Sequence, residues 1–397
     1  MKRLVMLCGE YPVLSETFVW REVQSLNTHN VDLKVATLRN AENSAKGIAP
    51  ASWVLFDKGV VPAIISSIKA CILAPKSSLR TLLFVGRTSV KAKMSSKNKA
   101  KVIFQGFCSL GFSYEMRAFS PDWLHCHFAH ASATYALFIA RFLNIPWSFT
   151  GHANDLFQRR ILLEEKLNDA SGIACISHWH KDFYYNLVPN CEPKLHIIRC
   201  GVDIPEFSDS NSISNFSIIS VGRLIEKKGF HILLEACIKL RDINNTITIN
   251  IIGSGPEQDN LNKLATKLPE NIKVNFWGAL EHKDILAKLT TASLFVMPCI
   301  DDKNGDRDGI PVSMMEAMAA GVPVLAGNLP AIRELIQDDV TGWVRDATPE
   351  AFESTLREIL SAKERIRTIG DNARAWVYKE FSTDINTKRL IKMIHGE

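Results

Sequence analysis

The sequence predicts an α/β protein made of two similar halves, each a parallel sheet wound with helices. Three observations predict it. Short apolar runs alternate with longer amphipathic stretches, the pattern of repeated strand and helix units, and the scheme is traversed twice. A polar segment broken by glycine and proline, GVDIPEFSDSNSISN at 201–215, separates the two passes. A chain of 397 residues also exceeds one ordinary core and suits two domains.

The first half offers strands at RLVMLC (3–8), DLKVATL (32–38), WLHCHF (123–128), WSFTG (147–151) and GIACIS (172–177). The second offers FSIISVG (216–222), TITINIIG (246–253), KVNFWG (273–278), SLFVMP (293–298) and VPVLAG (322–327). The closing stretch from about Ala351 to Gly396 reads as helical. We therefore expect a first domain over 1–200, a linker over 201–215, a second domain over 216–375, and a final helix over 376–397 that packs back on the first domain. In sheets of this kind ligands bind outside the carboxyl ends of the strands, so the site is expected where the two halves face a common cleft.

Composition narrows the class. The apolar and charged fractions are those of an ordinary globular chain, and no run of 18 apolar residues suggests a spanning helix. The start, MKRLVMLCGEYP, superficially resembles a secretory signal, but its apolar run is short and reads better as a buried strand. Nine scattered cysteines without a C-x-x-C pair argue for free thiols, with no disulfide framework or zinc site. The net charge of +5 is unevenly spread: Lys58 to Tyr114 holds ten cations and no acidic residue. Interleaved with VVPAII, ACIL and TLLFV, that segment is a candidate for lying on an anionic membrane, and a solvated helical face explains it about as well. No recognised nucleic-acid module accompanies it.

The densest motif is GDRDGIPVSMMEAMAAGVPVLAG at 305–327, which sets Asp308 and Glu316 across the start of a short helix. At about 1.5 Å per helical residue the pair spans up to roughly 12 Å, the reach of a diphosphate between two hydroxylated rings. Gly309 permits an unusual turn, Pro311 pre-sets the first helical dihedral, and N–H groups around Ile310 and Val312 form an anion seat. The plain alternative makes Asp308 an N-cap, Glu316 a solvated helix position and the methionines core fillers. Upstream, SVGRLIEKKGF (220–230) delivers Arg223 and Lys228 from a strand end, where the pair could grip a diphosphate. IIGSGPEQDNL (251–261) lacks the third glycine of a dinucleotide fingerprint, so Gly253 marks a tight strand-to-helix turn near a nucleotide. At Trp277-Gly278 another strand end offers backbone groups to a base.

In the first half, SFTGHANDLF puts His152 and Asp155 on a strand-end loop, suited to a polar substrate. His125 and His127 share a strand face, but no further ligand sits at a recognisable spacing, so they read as structural. The loop DDKNGDRDG mimics the start of a calcium loop, yet Glu316 falls one residue late, and no metal is expected.

The order SVGRLIEKKGF, IIGSGPE, VNFWG, LFVMP, DRDGIPVSMMEAMAAGVPVLA resembles the donor half of the retaining glycosyltransferases of family 4, whose fold is GT-B, with two Rossmann-like domains. EYPVLSETFVWREVQSL, HCHFAH, FTGHANDLF and HIIRCGVDIPEF are similar to the subgroup that builds bacterial exopolysaccharides of the colanic-acid or amylovoran type. The resemblance covers most of residues 1–57 and 119–380. It implies that Arg223 and Lys228 hold the donor diphosphate, that Glu316 binds the ribose, and that Asp308, with Gly309 and Ile310, touches the transferred sugar. His152 would meet the reacting sugar. Asp308 stands where the family usually has glutamate, which bears on sugar preference, and Cys200 stands where it often has asparagine, which bears on the linker. SETF in the loop from Glu10 to Arg21 implies an exopolysaccharide acceptor near Glu10, Ser15, Glu16, Thr17 and Asp155. The implied enzyme moves sugar, with retention and without a cofactor, from a nucleotide-sugar to a saccharide, lipid-linked or free, in the cytoplasm at the inner face of the membrane. A GT-B phosphorylase, a sugar-nucleotide epimerase and a non-catalytic sugar-nucleotide binder are the alternatives.

Overall fold

The structure, a computed structural model, describes residues 2–13, 16–42, 44–45, 47–152, 160–205, 216–301 and 309–397. The chain forms two compact units, Met1–Gly201 with Asn386–Glu397, and Val202–Ile385.

The first unit runs β1 (Arg3–Tyr11), α1 (Thr17–Thr28), β2 (Asp32–Asn40), β3 (Trp53–Val54), α2 (Val60–Leu73), α3 (Pro75–Lys91), α4 (Ser96–Met116), β4 (Trp123–His127), α5 (Ala131–Leu143), β5 (Trp147–Gly151), α6 (Leu163–Asp169), β6 (Gly172–Cys175), α7 (His178–Leu187) and β7 (Leu195–Ile197). The strands form one sheet in the order β3-β2-β1-β4-β5-β6-β7, with every pairing parallel. A sheet buried on both faces needs apolar residues at successive positions, which is why RLVMLC reads as a continuous run. Val5 and Leu7 enter the core on one face, while Leu4, Met6 and Cys8 enter the other.

The second unit runs β8 (Phe216–Val221), α8 (Phe230–Ile238), β9 (Ile247–Ile252), α9 (Gln258–Ala265), β10 (Ile272–Phe276), α10 (His282–Leu289), β11 (Leu294–Met297), α11 (Val312–Ala319), β12 (Val324–Gly327), α12 (Ile332–Leu335), β13 (Gly342–Arg345), α13 (Pro349–Ser361) and α14 (Lys363–Phe381). Its sheet order is β10-β9-β8-β11-β12-β13, also parallel. In both sheets the order reverses direction once, beside β1 and β4 in the first and beside β8 and β11 in the second. That switch point opens a crevice at the strand carboxyl ends.

The C-terminal stretch differs from a single helix over 376–397. Ser382 takes extended dihedrals and pairs with Val202 in a two-residue parallel bridge, which ends α14 and lets α15 (Thr383–His395) start afresh. Leu390, Met393 and Ile394 of α15 join the first unit's core beside Leu4 and Met6. The second unit accordingly extends to Ile385, past the expected residue 375.

Between β3 and β4 the first unit inserts three helices. Two glycines of α4 let them approach: a Cβ on Gly106 would stand 2.4 Å from Val85 of α3, and one on Gly111 would stand 2.6 Å from the backbone of Ser66 and Ser67 in α2. Gly111→Ala therefore forces α2 away from α4. We expect a loss of about 1–3 kcal/mol in a urea unfolding titration, the usual cost of overpacking.

Candidate active site

In the second unit the backbones at the strand ends meet at glycines. Gly253 follows β9 with φ of 140°, and a Cβ there would lie 1.9 Å from the carbonyl oxygen of Gly222, at the end of β8. Its N–H donates to the Gly278 carbonyl, 2.8 Å away, which ties in the end of β10. The three strand ends thus form one compact floor. Arg223 stands exposed on it, and the loop through a 3-10 turn at Glu226–Lys228 returns Lys228 against Gly222. Gly229, with φ of 68°, closes that turn.

Beside this floor, α11 begins at the switch point. Ser313, in its first turn, donates to the Val221 carbonyl at 2.9 Å, clamping the helix start to the end of β8. Pro311 is the N-cap, with φ of −66° and ψ of 129°, so it precedes the helix and does not form its first residue. Among the described residues no side chain caps this end. The Met314 N–H turns back to the Pro311 carbonyl at 3.1 Å, and the N–H groups before it lack an intrahelical acceptor. Glu316 is 6% exposed and accepts from His282 Nε2 at 2.8 Å, which excludes the plain reading of a solvated helix position. Met314, Met315 and Met318 are buried core residues. Trp277 is half exposed, with Lys288 Nζ 3.2 Å from the ring centroid. Asp308 lies outside the described residues.

In the first unit the switch point holds a buried chain of polar groups. Glu22 of α1 accepts from His127 Nε2 at 3.1 Å, His127 Nδ1 meets His152 Nε2 at 3.3 Å, and Cys200 Sγ lies 3.9 Å from His152 Nδ1. Burial alone would raise the Glu22 carboxyl, but the charge and hydrogen bond of His127 outweigh it and hold the group below the ordinary glutamate range. An ionised Glu22 makes His127 donate through Nε2. His127 Nδ1 and His152 Nε2 share one hydrogen, donated by one ring to the other. Burial pushes the Cys200 thiol up to about 12, so it stays protonated beside His152 Nδ1. Cys200, expected to matter only for the linker, is therefore a neighbour of the candidate catalytic histidine.

Phe18 and Phe128 flank the His152 ring at centroid distances of 4.7 and 4.6 Å. Burial, helped by His127, His180, His130 and His125, pushes His152 well below the ordinary histidine range. Gly151 is required here, because a Cβ would fall 1.8 Å from the Tyr184 hydroxyl. Behind the site, buried Lys166 donates to the carbonyls of Ala129, His130 and Ile161 at 2.7–2.9 Å, which fixes the turn after β4. Glu10 is exposed at the end of β1, and Glu16 and Thr17 stand half-buried at the start of α1. Ser15 and Asp155 lie outside the described residues. Glu22, His125 and His127 offer ligand atoms within 4.8 Å of one another, so a third group does join the two histidines. However, both His125 nitrogens already engage the hydroxyls of Ser148 and Thr150, at 2.7 and 2.9 Å. These contacts fit a structural role better than metal ligation.

Two family models match the chain in tandem: Glycosyltransferase Family 4 over residues 92–206 and Glycosyl transferases group 1 over 204–376. The chain thus carries a glycosyltransferase family 4 domain followed by a glycosyl transferases group 1 domain. Its fold is GT-B. The glycosyltransferase WcaL of Escherichia coli, named for colanic acid biosynthesis, is 32% identical over 211 residues, and the match spans only about half of each chain (51%). The amylovoran biosynthesis glycosyltransferase AmsK of Erwinia amylovora is 25% identical over 99% of both chains. Among solved structures, HepE of Anabaena in complex with UDP superposes with a TM-score of 0.71 at 16% identity, covering both chains fully. Sucrose-phosphate synthase of Thermosynechococcus elongatus gives the same TM-score at 15% identity, over 100% of this chain and 99% of its own.

Two expectations follow from this geometry. Gly253→Ala would press its Cβ into the Gly222 carbonyl at a positive φ, so we expect a loss of about 2 kcal/mol or more in unfolding free energy, with weakened donor binding in the same protein. Burial also holds His125 down to about 3 and His152 lower than normal, so both stay neutral in the fold while the unfolded chain protonates near 6.5. The stability they contribute is present above about pH 6.5 and is lost as pH falls below it, at up to about 1.4 kcal/mol per pH unit for each group. Urea titrations between pH 7 and pH 5, within that window, should show a shallower slope for His125→Asn than for the parent.

Proposed function

We propose that this glycosyltransferase moves a sugar, with retention, from a nucleoside diphosphate sugar to a growing saccharide carried on a lipid, in the synthesis of a bacterial surface polysaccharide. The observation that carries the donor reading is the group at the second switch point: buried Glu316 on the uncapped α11, clamped by Ser313 to the strand end that presents Arg223 and Lys228. Glu316, oriented by His282, suits the paired hydroxyls of a ribose. The names of the matched polysaccharide transferases support the pathway, and the UDP complex of HepE supports the donor class.

In this reading the acceptor hydroxyl attacks the anomeric carbon on the face that the diphosphate leaves, and a departing phosphate oxygen takes its proton. No protein nucleophile is needed. Arg223, Lys228 and the α11 start stabilise the charge that grows on the leaving group, in the manner of an oxyanion hole. These cations serve in place of a metal. His152 meets the reacting sugar, and Asp308 contacts the same sugar beside Gly309 and Ile310. The acceptor lies toward Glu10, Ser15, Glu16, Thr17 and Asp155. Delivery of that acceptor from an anionic membrane surface makes the enzyme peripheral to it.

Glu316→Ala and Lys228→Ala should each lower kcat/KM by about two to three orders of magnitude while leaving the thermal transition in place. A screen of nucleotide-sugars by thermal stabilisation selects the donor for that assay. Near-parental turnover by both variants refutes the donor site. Chelation with EDTA should leave the rate unchanged, and a rate lost to EDTA and restored by a divalent ion refutes the metal-free reading.

A further inference from the structure

The three-helix insertion has its polarity reversed. Toward the protein, α2 and α3 bury mostly small and hydroxyl side chains: Ala63, Ser67 and Ala70 on the first, and Ser78, Thr81, Thr88 and Ser89, with Val85 among them, on the second. Inside, Ser67 donates to the Ala63 carbonyl and Ser78 to that of Ala70. Outward, α2 presents Val61, Ile65, Ile68 and Ile72, which fall within about 60° of helical arc. Ile72 is 73% exposed. On α3, Leu79, Leu83 and Val90 form a second apolar row. Among the described residues, eleven of the fifteen large hydrophobic side chains that stand exposed lie between Val60 and Phe104. A helix packed through small residues with its aliphatics outside is the arrangement found in a lipid solvent.

Charge identifies what covers this surface. Lys76, Arg80 and Arg87 of α3 form an exposed row beside the apolar one, and with Arg141, Leu83 and Phe84 they line an open groove of about 540 Å³. Lys69 adds a further exposed cation on α2. No acidic residue lies between Lys58 and Tyr114. A protein partner of ordinary composition has no need of such a one-sided field, whereas the phosphates of an anionic bilayer complement it directly. Among the described residues no single helix is long and apolar enough to cross a membrane, and α2 and α3 are bent by 118° between them. The pair therefore suits a shallow seat in one leaflet.

We propose that the α2–α3 elbow is the lipid-contact element of this enzyme, with the α2 ridge at Ile65, Ile68 and Ile72 among the acyl chains and Lys76, Arg80 and Arg87 at the level of the phosphates. It deepens the peripheral placement given above. Within the cationic segment it leaves out Lys91–Lys101, at the far end of α3 and the start of α4, where Lys91, Lys93 and Lys101 share a separate cavity with Glu164 and Glu165.

The test is vesicle flotation of the full chain without donor or acceptor, so its outcome is independent of sugar transfer. Vesicles of phosphatidylcholine alone are compared with vesicles holding about a third phosphatidylglycerol. The parent should float with the anionic vesicles. The triple variant Lys76→Gln, Arg80→Gln, Arg87→Gln should bind about 100-fold more weakly, while Ile65→Ser, Ile68→Ser, Ile72→Ser should bind only at low salt. In Ile68→Trp, lipids brominated in the acyl chain should quench the new fluorescence. All these sites are exposed, and the thermal transition of each variant checks that it is folded. Flotation unchanged in both triple variants, or no quenching at position 68, overturns the proposal. So does a parent dimer that the isoleucine variant dissolves, since a second copy would then cover the ridge. Retention on duplex DNA in preference to anionic vesicles overturns it as well.

Discussion

The second unit depends on how closely its backbones approach at the carboxyl ends of β8, β9 and β10. Gly253 tucks under the Gly222 carbonyl and bonds to Gly278, and no residue with a Cβ fits that contact. The approach does more than close a turn. It keeps side chains off the floor, so backbone groups line it, with Arg223 exposed on it and half-buried Lys228 lying against Gly222. The same floor receives the start of α11 through Ser313, which aligns the helix N-terminus with the cations. A positive helix end and two cations converging on one strand end form a strong local field for an anion, built from groups that need not reorganise when it binds.

The first unit solves a different problem at its own switch point. Three histidines, a carboxylate and a thiol are buried together, an arrangement that is costly unless every polar atom has a partner of the right sense. The contacts running through Glu22, His127, His152 and Cys200 supply those partners. They orient the His152 ring, and burial between Phe18 and Phe128 keeps the imidazole neutral. Lys166 secures the backbone behind it with three carbonyl contacts. Rigidity at His152 thus comes from elements distant in sequence: α1, β4, the end of β5, and the segment after β7.

That distance explains what could and could not be read beforehand. The central strands were legible because burial on both faces demands continuous apolar runs, as in β1, β8 and β11. Three strands were missed, β3, β7 and β13, and each lies at a sheet edge, where a short strand needs little apolar sequence. Arg223, Lys228, Gly253, Pro311 and Glu316 could be proposed because motif order along the chain carries them. Glu22, Ser313, Lys166, His282 and the contact of Cys200 could not be found that way. Their partners lie far along the chain, 105 residues apart for Glu22 and His127 and 92 for Ser313 and Val221. No local period records such pairs. The cationic segment was visible as composition, but only the helices show which of its residues share a face.

The insertion also gives the two chemistries of the chain a physical connection. Leaving a ridge of isoleucines in water forfeits roughly 1.5–3 kcal/mol for each side chain that could have been buried, while serines and threonines occupy the interior instead. That sacrifice is rational where the outer solvent is hydrocarbon. The insertion leaves the sheet after β3 and re-enters it as β4, the strand whose carboxyl end bears His127. On the proposed placement, an element seated in a leaflet is continuous with a strand of the His152 site. On the same proposal, a lipid-held acceptor need not be extracted from the leaflet to reach the enzyme, so its search is confined to two dimensions and its saccharide end, projecting into water, is the part to be recognised.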